Sequence, residues 1–157
     1  MKLQGSIAIV TGVSHNQGIG TAICRKLAKE GADIFFTHWG SENNWAVYFQ
    51  DEIIQEYGVR CGNSDIDLSQ PNSPFEILDM VIQQMGTPTI LVNNAAHSTR
   101  DGYMELDAKT LDDHYAVNMR ATFLLSVEFA RRFKQQKKIM GRIINLTSGQ
   151  TSTWTND

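Results

Sequence analysis

An α/β sandwich, with a doubly wound parallel sheet covered by helices on both faces in three layers, is the fold class predicted for these 157 residues. Two observations predict it. Apolar runs of strand length alternate with helical stretches long enough to form crossovers, the pattern of repeated right-handed βαβ units. The first run, Ile7–Val10, also enters a glycine-bearing turn, Thr11-Gly12-Val13-Ser14-His15-Asn16-Gln17-Gly18-Ile19-Gly20, which opens directly into a helix-periodic segment.

Residues 7–10 read Ile-Ala-Ile-Val, apolar at successive positions, as a strand buried on both faces requires. After the turn, Ile19, Ile23 and Leu27 recur at helical spacing. A second strand is expected at 34–36, and a helix at 43–57 carrying Ala46, Val47, Ile53 and Ile54. A weaker strand signal lies at 59–61. The helix expected at 73–85 places Phe75, Leu78, Val81, Ile82 and Met85 on one face. Residues 90–92 give another strand. The longest helical stretch spans about 109–136, with Phe123, Val127 and Ala130 repeating and Phe133 following, and a last strand is expected at 143–146. With no repeats, low-complexity tracts or linker, residues 1–157 read as one dinucleotide-binding domain, incomplete at its C-terminal end.

Composition narrows the function. Hydrophobic residues make up 41% and charged residues 20%, ordinary for a globular protein. The net charge of −3, from 14 basic and 17 acidic side chains, gives no electrostatic case for nucleic acid or an anionic membrane. The basic cluster Arg131, Arg132, Lys134, Lys137 and Lys138 reads as a solvated helix end complementing the dipole. Cys24 and Cys61 form no close motif, which excludes a disulfide scaffold or a zinc site and fits a reducing compartment. The N-terminus has no apolar signal core, and no run reaches the length of a membrane span. A cytoplasmic location is therefore expected.

The turn carries the chemistry. A strand entering a glycine-rich turn that opens a helix aims backbone N–H groups and the positive end of the helix dipole at a pyrophosphate. Gly12 allows the tight exit, Gly18 lets the ligand approach the backbone, and Gly20 lets the helix pack on the strand. Thr11, Ser14, His15 and Ile19 complete the expected contacts. In such sheets ligands lie beyond the carboxyl ends of the strands, which also directs attention to the residues after Phe36, to 65–69, to 93–98 and to 147 onward.

Together these segments resemble the short-chain dehydrogenase/reductase family, whose fold is a Rossmann-type sheet. The turn at 11–20 is similar to the family's glycine loop, though longer between Gly12 and Gly18. Asp67-Leu68-Ser69 resembles the acidic turn whose aspartate contacts adenine. Asn93-Asn94-Ala95-Ala96 is similar to the Asn-Asn-Ala-Gly signature, with Ala96 in place of glycine. Asn118 matches the helix asparagine of the family's proton relay, and Ser148, after the strand at 143–146, matches its catalytic serine. Each has a plainer use: Asn93 as a tie between strands, Asp67 as a turn former, Ser148 as a turn cap. Asn118 is the less expected placement, since asparagine weakens helix interiors.

The resemblance implies hydride transfer between a nicotinamide and a carbonyl carbon, with Ser148 stabilising the carbonyl oxygen and Asn118 in the proton path. The proton donor implied is a tyrosine with a lysine four residues later, and none of Tyr48, Tyr57, Tyr103 and Tyr115 has one. A fragment of a longer chain is expected, because the strand at 143–146 would otherwise be an uncovered apolar sheet edge. The alternative is a catalytically inactive nucleotide-binding module. No carboxylate follows the second strand in Thr37-His38-Trp39-Gly40, so Thr37, His38 and His15 favour NADP over NAD. The pattern resembles reductases of 3-oxoacyl thioesters on acyl carrier protein, or generic carbonyl reductases; an enoyl-thioester reductase is the rival within the family. Family members commonly form dimers or tetramers through the long helix, so a homo-oligomer is expected of the full-length form.

Overall fold

The structure, a computed structural model, describes residues 1–41, 44–99, 104–136 and 140–147. Strands β1 (Ile7–Val10), β2 (Asp33–His38), β3 (Cys61–Asp65), β4 (Ile90–Asn93) and β5 (Arg142–Asn145) form one five-stranded sheet in the order β3-β2-β1-β4-β5. All pairings are parallel. The chain therefore winds outward from β1 through β2 to β3, then crosses back to β4 on the other side. This reversal leaves a crevice beyond the carboxyl ends of β1 and β4, where the connections part.

Alternation along the strands builds the layers. Ala8, Val10, Ile34, Phe36 and Val92 face one side, against Cys24 and Ala28 of α1 (Ile19–Lys29) and Phe49 and Ile53 of α2 (Trp45–Tyr57). Ile7, Ile9, Phe35 and Leu91 face the other, against Ile77, Leu78 and Val81 of α3 (Ser73–Gln84) and Leu125 and Phe129 of α5 (Thr122–Gln135). Burial on both faces is the reason β1 is apolar at every position and β2 and β4 carry the apolar runs 34–36 and 90–92.

Three expectations change. The strand signal at 59–61 is displaced: the ladder runs Cys61–Asp65, Cys-Gly-Asn-Ser-Asp, and a polar strand at the sheet edge gives no apolar run to detect. The long helix is divided into α4 (Ala108–His114), a π-helical segment Tyr115–Ala121 and α5. Its buried stripe is Ala121, Leu125 and Phe129, whereas Phe123 and Val127 stand 65% and 44% exposed. Of the basic cluster, Arg131 and Lys134 are exposed as expected and Lys137 and Lys138 lie outside the described residues, but Arg132 is less solvated than expected. Arg132 is 19% exposed and bridges α5 to α3 through Asp79, with its Nη1 2.5 Å from Asp79 Oδ1 and its Nε 2.9 Å from Glu128 Oε1.

Cys24 is buried in the core, as expected of a packing residue, and burial pushes its thiol well up. Burial likewise pushes the Cys61 thiol up to about 12, leaving it unreactive at neutral pH. Among the described residues no helix is long and apolar enough to cross a membrane, and no group of three or more ligating side chains could hold a metal.

Candidate nucleotide-binding and active site

The turn after β1 is fixed from beneath. Thr11 is 2% exposed; its hydroxyl donates to Val92 O at 3.4 Å and accepts the N–H groups of Asn94 and Ala95, both at 3.1 Å. Expected at the cofactor, Thr11 instead lies under the cavity and welds β1 to the loop after β4. Asn94 completes that weld, its Nδ2 donating to Thr11 O at 2.8 Å and to Gly12 O at 3.0 Å.

Gly12 has φ +72°, and a Cβ there would lie 2.5 Å from Ala95 Cα. No other residue fits that contact without displacing backbone. A Cβ at Gly20 would meet Asn94 Nδ2 at 2.7 Å and Val13 Cγ2 at 2.9 Å, so the close packing expected of Gly20 is made against the loop and not against a strand. Thr21 Oγ1 donates to His15 O at 2.6 Å and holds the crest of the turn onto α1.

Above this frame lies a cavity of about 610 Å3, lined by Gly12, Ser14, His15, Gly18, Ile19 and Gly20 of the turn, Thr37 and His38 at the end of β2 with Trp39 after it, Asp67 and Leu68 after β3, and Asn94, Ala95, Ala96 and His97 after β4. Most of the expected cofactor residues thus share one wall. Ile19, 66% exposed at the start of α1, presents an apolar surface to that space. The N-terminus of α1 has Gly18 as its cap residue, no side-chain cap and no acidic group in its first turn. Its leading N–H groups and dipole are accordingly left for an anion. A dinucleotide diphosphate fits this cradle: small residues line the turn, and the helix end supplies donors.

Asp67 forms the turn that holds this wall. Its Oδ1 accepts Ser69 N–H at 2.8 Å, and its Oδ2 accepts Ser69 Oγ at 2.8 Å and Gln70 Nε2 at 3.2 Å. Burial alone would raise its pKa, but these hydrogen bonds outweigh burial and hold the carboxyl below its ordinary range. Asp67 remains ionised at neutral pH, and Leu68 is carried into the cavity wall beside it.

Asn93, 6% exposed, is the tie between strands: its Nδ2 donates to Asn145 Oδ1 at 2.7 Å and to Ser126 Oγ at 3.0 Å, joining β4, β5 and α5. Asn118 lies in the π-helical segment and clamps the main chain of His97, accepting its N–H at 2.7 Å and donating to its carbonyl at 2.9 Å. Two backbone groups are thus satisfied by one amide, which accounts for asparagine in mid-helix. A π turn there agrees with the tendency of such bulges to mark functional positions. Ser148 lies outside the described residues; β5 is followed by a Leu146 N–H to Asn93 O bond of 3.1 Å.

One group escaped the sequence reading. His38 is joined to Ser41, Asn63 and Asp65 by contacts that bridge β2, its following loop and β3. Their separation along the chain and the misplaced third strand hid this cluster.

Residues 6–155 match the model of the short chain dehydrogenase family. The chain belongs to this family. It is 58% identical over 94% of its length to the uncharacterized oxidoreductase YjdA of Bacillus subtilis (strain 168), and 30% identical over 94% to the 3-oxoacyl-[acyl-carrier-protein] reductase FabG of Aquifex aeolicus (strain VF5). It spans 58% and 57% of those relatives' lengths. Among solved structures, a metagenomic short-chain oxidoreductase in complex with NADP superposes with a TM-score of 0.82 at 33% identity, over 94% of this chain and 64% of that one. The family resemblance carried by the turn, the Asn-Asn-Ala segment and Asn118 is thereby confirmed as kinship.

Proposed function

We propose that the protein is an NADP-dependent oxidoreductase that reduces a carbonyl compound, a 3-oxoacyl thioester or similar ketone, with residues 1–157 supplying its dinucleotide-binding domain. The observation that carries the reading is the cradle itself: an uncapped helix N-terminus beneath a turn whose Gly12 admits no side chain, opening on a 610 Å3 cavity at the sheet's reversal point. The NADP bound by the metagenomic oxidoreductase and the thioester named for the Aquifex aeolicus enzyme support the choice of cofactor and substrate class.

The roles follow from the residues. Gly12, Ser14, Gly18, Ile19 and Gly20 receive the diphosphate at the dipole of α1; Asp67 and Leu68 flank the adenine; Thr37, His38 and His15 lie toward the ribose phosphate; Asn94, Ala95 and Ala96 border the nicotinamide end. NADPH supplies the hydride. Ser148 donates a hydrogen bond to the oxygen that gains charge, and Asn118 fixes the loop at His97 that forms the floor of that end. Turnover further requires an acid of the Tyr-x-x-x-Lys kind, which residues 1–157 do not contain.

A homo-oligomer is proposed as the working state, supported by the apolar row Leu111, Tyr115, Met119, Phe123 and Val127, each at least 44% exposed. A cytoplasmic location accords with the unpaired thiols Cys24 and Cys61. Titration of the complete protein with NADPH and NADH, followed by NADPH oxidation against a panel of 3-oxoacyl thioesters, simple ketones and enoyl thioesters, tests the proposal. Tighter NADPH binding and reduction of the oxoacyl compounds are expected. NADH binding more tightly, or turnover of enoyl thioesters alone, would overturn it.

A further inference from the structure

Three successive residues at the crest of the glycine turn, His15, Asn16 and Gln17, are exposed. His15 and Gln17 line the cavity; Asn16 between them does not, and is held instead by Arg25 of α1, which does not line it either. The crest therefore reaches the cavity with its outer residues and is anchored outside it through its middle one.

Arg25 has its whole guanidinium committed to fixed partners. Its Nε and Nη2 donate to the two carboxylate oxygens of Glu52 on α2 at 2.6 and 3.0 Å. Nη2 also donates to Asn16 Oδ1 at 2.5 Å, and Nη1 to Asn16 O at 3.3 Å. Its Cζ lies 5.3 Å from the centroid of the Phe49 ring, which is 2% exposed and stacked on Trp45 at 5.1 Å. A planar fork held along one edge by a carboxylate and across its face by a buried ring keeps few conformers, so what its other edge grips is held as firmly.

The carbonyls of the crest are taken up by these bonds. Asn16 O goes to Arg25, while His15 O accepts Thr21 Oγ1 at 2.6 Å and Gly18 N–H at 3.2 Å. A trans peptide sets its C=O and N–H on opposite sides, so the N–H groups of Asn16 and Gln17 point away from these partners. Carbonyl oxygens occupied in this way do not turn toward an anion, and the donors are left for it.

Resting on the dinucleotide reading above, we propose that Arg25 is a positioning residue for the cofactor, pinning Asn16 so that the crest is already set when the diphosphate arrives. Glu52 and Phe49 of α2 hold the fork, and through it the second helix supports a turn that it does not touch. An untethered crest would have to be ordered on binding, and that ordering subtracts from affinity. The chain order hides the device, since 27 residues separate Arg25 from Glu52.

The test compares two ligands of the complete protein by equilibrium titration: NADPH, which contains the diphosphate, and adenosine 2′-monophosphate, which does not. Asn16→Ala and Arg25→Gln should each weaken NADPH about tenfold, as for a lost hydrogen bond to a charged group, and weaken the monophosphate less than about twofold. The double variant should lose no more than about the larger single loss, because both residues act through one contact. Asn16→Ala changes no charge and truncates an exposed side chain, so it decides the matter if Arg25→Gln does not fold. Equal weakening of both ligands, the mark of a merely structural role, would overturn the proposal, as would additive losses or an unchanged NADPH affinity in Asn16→Ala. Tighter binding of NADH by the wild type overturns the NADP reading alone, and NADH against adenosine then makes the same comparison; a wild type that binds neither dinucleotide overturns both.

Discussion

β1 and β5 are both four-residue strands of one sheet, Ile-Ala-Ile-Val and Arg-Ile-Ile-Asn, yet their surroundings differ completely. In β1 no residue is more than 5% exposed, while Ile143 and Ile144 of β5 stand 39% and 46% exposed. β1 has a paired strand on each side and helices over both faces; β5 has β4 on one side alone among the described residues. Similar residues are thus finished in one place and unfinished in the other. The half that carries the glycine turn is closed by its own side chains, whereas β5 leaves apolar surface open among the described residues.

The severest way to break this contrast is at the closed end. Gly12→Ala forces a Cβ into Ala95 Cα at 2.5 Å and places a non-glycine residue at φ +72°. Left-handed strain and overpacking together should cost about 2–5 kcal/mol of stability and remove most NADPH affinity. Urea unfolding and cofactor titration read both effects, and a variant matching the wild type in either would refute the account of the cradle.

A paired truncation sharpens the contrast further. Leu91→Ala, at a position with no exposure, should cost about 2–5 kcal/mol, while Ile144→Ala on the exposed strand should cost less than about 1 kcal/mol. Equal losses measured in the complete protein would mean that β5 is covered there as β1 is here. Between the two halves stands Asn93, and Asn93→Ala leaves Asn145 Oδ1 and Ser126 Oγ without their donor. A loss of about 1–3 kcal/mol in chemical denaturation is expected, and no loss would show the tie to be idle.

The same contrast governs how much could be read from the chain. Strands buried on both faces announce themselves, so β1, β2 and β4 are legible as apolar runs, and the turn at 11–20 is legible because glycine spacing and strand-helix order agree. β3 escaped as a polar edge strand. Periodicity in α5 points to Phe123, Val127 and Ala130 because it shows that a face exists, not which face meets the sheet; Leu125 and Phe129 meet it. Thr11 was legible as part of the turn but not as its underside, since the bonds to Val92, Asn94 and Ala95 span more than eighty residues of sequence. The His38 and Asp65 cluster required the parallel register of β2 and β3, which places His38 opposite Asp65.

A gentler effect separates a turn-forming role of Asp67 from mere exposure. Its carboxyl pKa is depressed in the fold, so its ionised form contributes stability above the ordinary carboxylate pKa, and that contribution is lost as pH falls through the depressed value. The stability difference between wild type and Asp67→Asn should be constant from neutral pH down to about pH 5 and should shrink below about pH 4. Thermal unfolding across that range checks it. A difference unchanged into strong acid would mean that the Ser69 and Gln70 bonds do not favour the ionised form.

The smallest effect on folding is expected where exposure is largest. Leu111, Tyr115, Met119, Phe123 and Val127 stand four residues apart. On a uniform α-helix such a row would wind about the axis by about 40° per step. The π-helical segment Tyr115–Ala121 makes a wider turn within that row and offsets part of the winding, so the side chains stay nearer one face. Buried Phe129 and exposed Phe123 therefore lie in the same helix under opposite constraints. Phe129→Ala should cost about 3–5 kcal/mol. Phe123→Glu should change the stability of the isolated subunit by no more than about 0.5 kcal/mol, while placing a charge within the apolar row. Sedimentation velocity of the complete protein should then show the variant shifted to a smaller species at unchanged helix content. An assembly that persists undiminished would remove this face from the interface and assign association to another surface.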